Sequence, residues 1–132
     1  MGCVRLSMIL MAKVRWYSRD SANELLPEVR ERLAGLQQAY PAVRQMRAAS
    51  AGNGGGSHTE EWKRSLAVFE EQLEWFNEAG ILVKDIAQGL VDFPSDRNGE
   101  QILLCWKADE ASVDFWHYPD GGFAGRQPLN QG

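Results

Sequence analysis

Asp92, Glu110, His117 and Arg126 are the residues of this chain whose types could do chemistry together, with Trp106 lying between the two carboxylates in sequence. A carboxylate and an imidazole can exchange protons near neutral pH, and a guanidinium captures a carboxylate or phosphate through paired hydrogen bonds. Arg126 follows Gly121-Gly122 and Phe123-Ala124-Gly125, so it is presented from a glycine-rich loop. Asp92, Trp106, Glu110, His117 and Arg126 are therefore the candidate ligand-binding set, and a small anionic ligand suits them. The plainer reading of the same arginine is an internal salt bridge to Asp85, Asp92 or Glu110 that ties the tail to the sheet. It carries the greater weight, because an unpaired buried charge is costly.

Cys105 adds a sulfur to this neighbourhood. Asp92, Cys105, Glu110 and His117, with Asp85 nearby, are ligand types of a transition-metal site, and adjacent antiparallel strands can bring such residues together. None of them repeats at the i, i+2 or i, i+4 spacing of familiar metal motifs, so no metal ligand is assigned and no cofactor is named. A nucleophilic pair of Cys105 and His117 has the same weakness, since Leu103-Leu104-Cys105-Trp106 presents the cysteine as a small buried hydrophobe. His58 reads as a helix-entry residue.

The elements that must position these residues are strands. Ile81 to Lys84, Gly89 to Phe93, Gln101 to Lys107 and Ser112 to Tyr118 read as extended pieces. Asp96-Arg97-Asn98-Gly99 suits a hairpin turn with positive backbone angles, and Pro119-Asp120-Gly121-Gly122 is another tight reversal. Alternation sets Ile102, Leu104 and Trp106 against Leu103, Cys105 and Lys107, and Val113, Phe115 and His117 against Asp114, Trp116 and Tyr118. Both faces carry large apolar groups. One should pack on helices, and the other needs cover from an N-terminal strand, the C-terminal tail or a second subunit.

Two helices precede the strands. Val29, Leu33, Leu36, Tyr40 and Val43 share one helical stripe, and Trp62, Leu66, Phe69, Leu73 and Phe76 share another. Ser18 or Ser21 starts the first, with Ser21-Ala22-Asn23-Glu24 as a capping box, and Pro27 and Tyr40-Pro41 predict kinks or pauses. Ser57-His58-Thr59-Glu60 caps the second, which Gly80 closes in the left-handed conformation. The flexible Ala51-Gly52-Asn53-Gly54-Gly55-Gly56 between them makes an antiparallel hairpin. Charge pairing supports this, with Arg44 and Arg47 near Glu60 and Glu61, and Arg30 and Arg32 opposite Glu70, Glu71 and Glu74. The expected fold is α+β, an antiparallel two-helix hairpin packed on a small antiparallel β-meander of three to four strands.

With 132 residues the chain is one domain by length. Residues 1–13 read as a disordered extension and 14–132 as a single α+β domain, the hairpin over about 18–80 and the meander over about 81–128. A net charge of −4 and a pI near 5.2 disfavour nucleic acid as a partner. Met1-Gly2-Cys3 fails the acylation pattern at Leu6, and no segment approaches the roughly 18 apolar residues of a membrane span, so no membrane partner is expected. Cys3 and Cys105 lie far apart, which suits a reduced, cytoplasmic protein.

Ala22-Asn23-Glu24-Leu25-Leu26-Pro27, Val83-Lys84-Asp85, Gly89-Leu90-Val91-Asp92-Phe93-Pro94, Leu104-Cys105-Trp106, Glu110, Trp116-His117 and Gly125-Arg126 occur in an order that resembles the small bacterial proteins grouped as domain of unknown function 2203. The resemblance covers about residues 16–129. It implies a shared fold and a shared surface, without an activity. One departure is Asp109, which stands where relatives usually carry glycine before the acidic residue.

Two functions of different class follow. The first is a noncatalytic binding or scaffolding protein, self-associating as a homodimer, because two aromatic helix stripes and a two-faced sheet offer more apolar surface than so small a domain readily buries. The second is a small enzyme or anion-binding domain built around Asp92, Glu110, His117 and Arg126, with metal binding as an option at the same site.

Overall fold

The computed structural model describes residues 15–51 and 60–129, with backbone alone for 47–51. The N-terminal extension with Cys3, the glycine-rich linker, the Ser57 capping box with His58 and the side chain of Arg47 lie outside the described residues.

The first helix, α1 (Arg19–Ala51), begins where local hydrogen bonding lets it. Ser18 Oγ accepts from the Ser21 amide at 3.0 Å while Ser21 Oγ accepts from the Ser18 amide at 2.9 Å. This is a reciprocal capping box, moved three residues ahead of the expected one. Ser21 serves as its inner member, which frees Asn23 for a tertiary role: its side-chain oxygen accepts from the Val113 amide at 2.7 Å. The helix runs continuously through Pro27 and Pro41, so neither proline ends it. Packing of Ala22, Leu26, Val29, Leu33 and Leu36 into the core outweighs the donors that the prolines remove.

The second helix, α2 (Glu60–Ala79), ends as expected at Gly80, whose φ is 76°. The Ile81 amide reaches back to the Phe76 carbonyl at 3.0 Å and the Gly80 amide to Asn77 at 3.1 Å, the two bonds of a Schellman cap. Of its apolar stripe, Phe76 is fully buried, Phe69 is half-buried against the core and stacked on Tyr40, and Leu73 is exposed. The expected cross-helix charge pairs of the described arginines give way to closer partners. Arg32 bonds Glu28 one turn back and Gln72 across the hairpin, and Arg30 donates to the carbonyls of Ala108, Glu110 and Ala111 while lying over the Trp106 ring. A guanidinium has several donors, and a loop that presents three carbonyls satisfies more of them than one distant carboxylate does.

Five antiparallel strands follow in chain order: β1 (Leu82–Asp85), β2 (Leu90–Arg97), β3 (Glu100–Lys107), β4 (Phe115–His117) and β5 (Gln127–Pro128). The fold is α+β, with one strand more than the upper expectation. Asn98 and Gly99, both at positive φ, join β2 to β3, and the ladder continues from Arg97↔Glu100 to Leu90↔Lys107. β2 also runs four residues past the expected Phe93, through Pro94. That proline is tolerated because β1 has already ended. The Pro94 carbonyl points to the free edge, where it accepts from the Tyr17 amide at 2.7 Å, so the missing donor breaks no ladder bond.

The inner face of the sheet carries Val91, Phe93, Ile102, Leu104, Trp106 and Trp116, all in one cluster with Leu26, Val29, Leu33, Leu36 and Phe76 of the helices. Val113 joins this core instead of sharing a face with Phe115 and His117, because regular pairing on β4 begins only at Phe115. Gly89 makes the close approach possible. At φ 71° it sits where an added Cβ would lie 2.6 Å from Ala108 Cβ.

Candidate functional site

The outer face of the same strands holds the polar residues. The two-residue Asn98-Gly99 turn places Asp92 directly across from Cys105, and β4 places His117 opposite Leu103, one diagonal step from Cys105. Period-two alternation points all three away from the core. Asp92 and His117 are each 2% exposed and Cys105 is fully buried. One ligand atom from each lies within 4.8 Å of those of the other two.

Hydrogen bonding defines the state of His117. Its Nδ1 lies 2.6 Å from the Tyr118 carbonyl, which can only accept, so Nδ1 carries a proton. Nε2 then faces Asp92 Oδ2 at 3.2 Å. The other carboxylate oxygen, Asp92 Oδ1, is buried without a hydrogen-bond partner. Burial raises the Asp92 carboxyl above its ordinary range, against the opposing pull of the His117 and Lys84 charges and of hydrogen bonding from His117 and the Cys105 thiol. Burial likewise pushes the Cys105 thiol up to about 11, and the Asp92 charge adds to it, while Arg126 opposes. A thiol held this high is not a nucleophile at neutral pH.

A second polar group adjoins the first. Arg126, presented by the short 3-10 turn Phe123–Gly125, pairs with both carboxylate oxygens of Glu110, and its guanidinium lies between the rings of Phe115 and Phe123. The two side chains are 16% and 18% exposed. Glu110 is held in turn by the Lys107 amide, which donates to Oε1 at 3.0 Å. Of the partners considered for Arg126, Glu110 is the one it takes. The C-terminal segment thus crosses the outer face beside Phe115 and Cys105, with Arg126 Nη1 3.9 Å from the sulfur.

The structure therefore brings together Asp92 with His117 and Glu110 with Arg126, linked through Cys105. Trp106 lies elsewhere: alternation turns it to the core face, where its indole N–H donates to the Glu110 carbonyl at 3.0 Å. Asp85 also stands apart, accepting from the Gln88 amide in the turn that follows β1. Cys105, weighed from the sequence as a metal-ligand type and as a nucleophile, was left out of the candidate ligand-binding set. Its signal was present, since a two-residue hairpin centred on Asn98-Gly99 dictates the pairing of Asp92 with position 105.

A different kind of surface lies on the hairpin. Tyr40, Val43, Arg44, Phe69, Leu73 and Ile86 line an open, mainly apolar groove of about 450 Å³. Leu73 is 36% exposed. Among the described residues, no helix is long and apolar enough to cross a membrane.

Residues 15–129 match the family described as "Uncharacterized conserved protein (DUF2203)". No curated protein and no solved structure matches the chain.

Proposed function

The chain belongs to the DUF2203 family, and from that premise we propose that it is a noncatalytic binding protein of the cytosol that associates with a second copy of itself through the helical hairpin. The observation that carries this reading is the apolar groove between the helices, where Tyr40, Phe69 and Leu73 remain partly exposed beside Ile86. Exposed apolar side chains gathered around one groove mark an interaction surface more often than an accident of folding. Charge supports a twofold arrangement. Arg44 borders the groove on α1, and Glu70 and Glu74 flank Leu73 on α2, so an antiparallel copy sets unlike charges against each other.

The alternative, a small enzyme or anion-binding domain at the outer face, has less support. Arg126 is engaged by Glu110, so it does not offer the free cation that an anion site would use.

Sedimentation equilibrium at micromolar concentration tests the reading. The full chain is expected to run at twice its 14.8 kDa mass. Leu73→Glu, which places a charge in the groove without touching the buried core, is expected to return it to a monomer with an unchanged circular dichroism spectrum. A wild-type monomer at these concentrations removes the proposal.

A further inference from the structure

We propose that Asp92, Cys105 and His117 form a binding site for a thiophilic divalent transition metal, for which zinc is the best fit. This inference concerns the outer face of the sheet and stands independently of the hairpin groove.

The donor set comes first. One imidazole nitrogen, one sulfur and one carboxylate oxygen make a mixed set that suits zinc, whereas magnesium and calcium prefer oxygen alone. Geometry comes second. A tetrahedral site with metal–nitrogen and metal–oxygen bonds near 2.0–2.1 Å and a metal–sulfur bond near 2.3 Å has ligand-to-ligand edges of roughly 3.3–3.7 Å. His117 Nε2 and Asp92 Oδ2 already stand 3.2 Å apart, and all three donors lie within 4.8 Å of one another. Side-chain torsions alone can close a difference of that size, because each donor sits on a paired strand whose backbone stays in place.

Orientation comes third. The His117 Nδ1–H donates a hydrogen bond to the Tyr118 carbonyl, which turns Nε2 toward Asp92. A backbone carbonyl holding the far nitrogen is how a metal-binding histidine is usually fixed in tautomer and direction. The fourth observation is the unpartnered Asp92 Oδ1, buried with the rest of its side chain. A buried carboxylate oxygen without a donor is costly, and a cation between the three side chains supplies the missing positive charge. Arg126 Nη1, 3.9 Å from the sulfur, can donate to the coordinated thiolate from outside.

Binding releases the Cys105 thiol proton, and any proton shared between Asp92 and His117, to solvent. Two negative ligands then balance the charge of the dication. Three protein donors leave the fourth coordination position to water or another small donor.

Cobalt(II) is the probe, since its absorption reports both a thiolate ligand, by an intense near-ultraviolet charge-transfer band, and tetrahedral geometry, by its visible bands. The full chain, first stripped with a chelator, is expected to bind one cobalt(II) per chain with the thiolate band, which zinc(II) then displaces. Two cysteines are present, so Cys3→Ser should keep that band and Cys105→Ala should abolish it. Alanine preserves a small apolar shape at the buried position, and circular dichroism verifies that the variant folds. His117→Gln is expected to weaken zinc affinity by about 100-fold or more. The proposal is overturned if the folded wild-type chain takes up no stoichiometric cobalt(II), if the thiolate band survives Cys105→Ala, or if folded His117→Gln binds zinc as tightly as wild type.

Discussion

The two faces of the sheet are made by the same strands, and neighbouring residues along β2 and β3 have opposite surroundings. Val91 and Phe93 enter a dry core against α1 and α2, while Asp92 between them lies on the far side with Cys105 and His117. The same holds for Leu104 and Trp106 on either side of Cys105. The inner face draws its strength from the area it removes from water, which is nondirectional and tolerant of detail. The outer face depends on directed bonds: Nδ1 to a carbonyl, Nε2 to a carboxylate, a guanidinium to Glu110. One face therefore supplies most of the stability, and the other holds a directed set of buried polar groups whose desolvation the first offsets.

This contrast predicts a graded response to mutation. The largest effect is expected on the inner face. Trp106→Ala should cost about 3–5 kcal/mol in urea unfolding, since it empties a fully buried site and removes the indole that holds the Glu110 carbonyl. A cost below about 1 kcal/mol would break the division between the faces.

On the outer face, Arg126→Ala is expected to cost about 1–3 kcal/mol, because it leaves a partly buried Glu110 without its partner. The double variant Arg126→Ala with Glu110→Gln should recover part of that loss, since the uncompensated charge is then gone. Equal stability of single and double variants would show that Arg126 acts through its packing on Phe115 and Phe123 alone.

The smallest effect is expected at the rim, where Arg19 meets Asp114 at 2.6 Å and both side chains are well exposed. The Ser112 hydroxyl, which donates to Asp114 at 2.6 Å, holds that carboxyl below its ordinary value; burial opposes it, and the Arg19 hydrogen bond and charge add smaller pulls in the same direction as Ser112. A depressed carboxyl stabilises the fold above the unfolded pKa of about 3.9 and loses that contribution as pH falls through the lower folded value. Asp114→Asn should therefore cost at most a few tenths of a kcal/mol at pH 7, after solvent screening. The difference from wild type should vanish in acid. A difference that grows as the pH falls would reverse the assignment.

Much of this contrast was legible beforehand, and the exceptions share a cause. The first helix stripe, the Gly80 cap and the Asn98-Gly99 hairpin depend on local spacing and on backbone angles that few residues adopt, and the structure has them, whereas of the second stripe Phe76 alone is fully buried. The first capping box was displaced because two serines, Ser18 and Ser21, lie close together with Asp20 and Glu24, and local chemistry alone does not rank them. Pro94 within β2, β5 and the carbonyl partners of Arg30 depend on which edges and loops lie nearby, a matter of packing between distant segments. In the candidate site, the Glu110 pairing of Arg126 was among the alternatives considered. Trp106 was grouped with the site residues, although its alternation with Cys105 already set it on the face of Ile102 and Leu104, where the structure has it.

Composition and period by themselves determined the class of fold, the order of its elements and the turn that sets the β2–β3 register, because hydrophobic periodicity and positive-φ residues act over a few neighbours. That register alone sets Asp92 across from Cys105. Only the tertiary structure decided that His117 completes the group and that Arg126 spends its charge on Glu110. It also decided that Asp92 keeps one oxygen unpaired. Each of these depends on where β4 and the C-terminal segment close against strands formed earlier in the chain, and such long-range closure is decided by packing and desolvation summed over the whole domain.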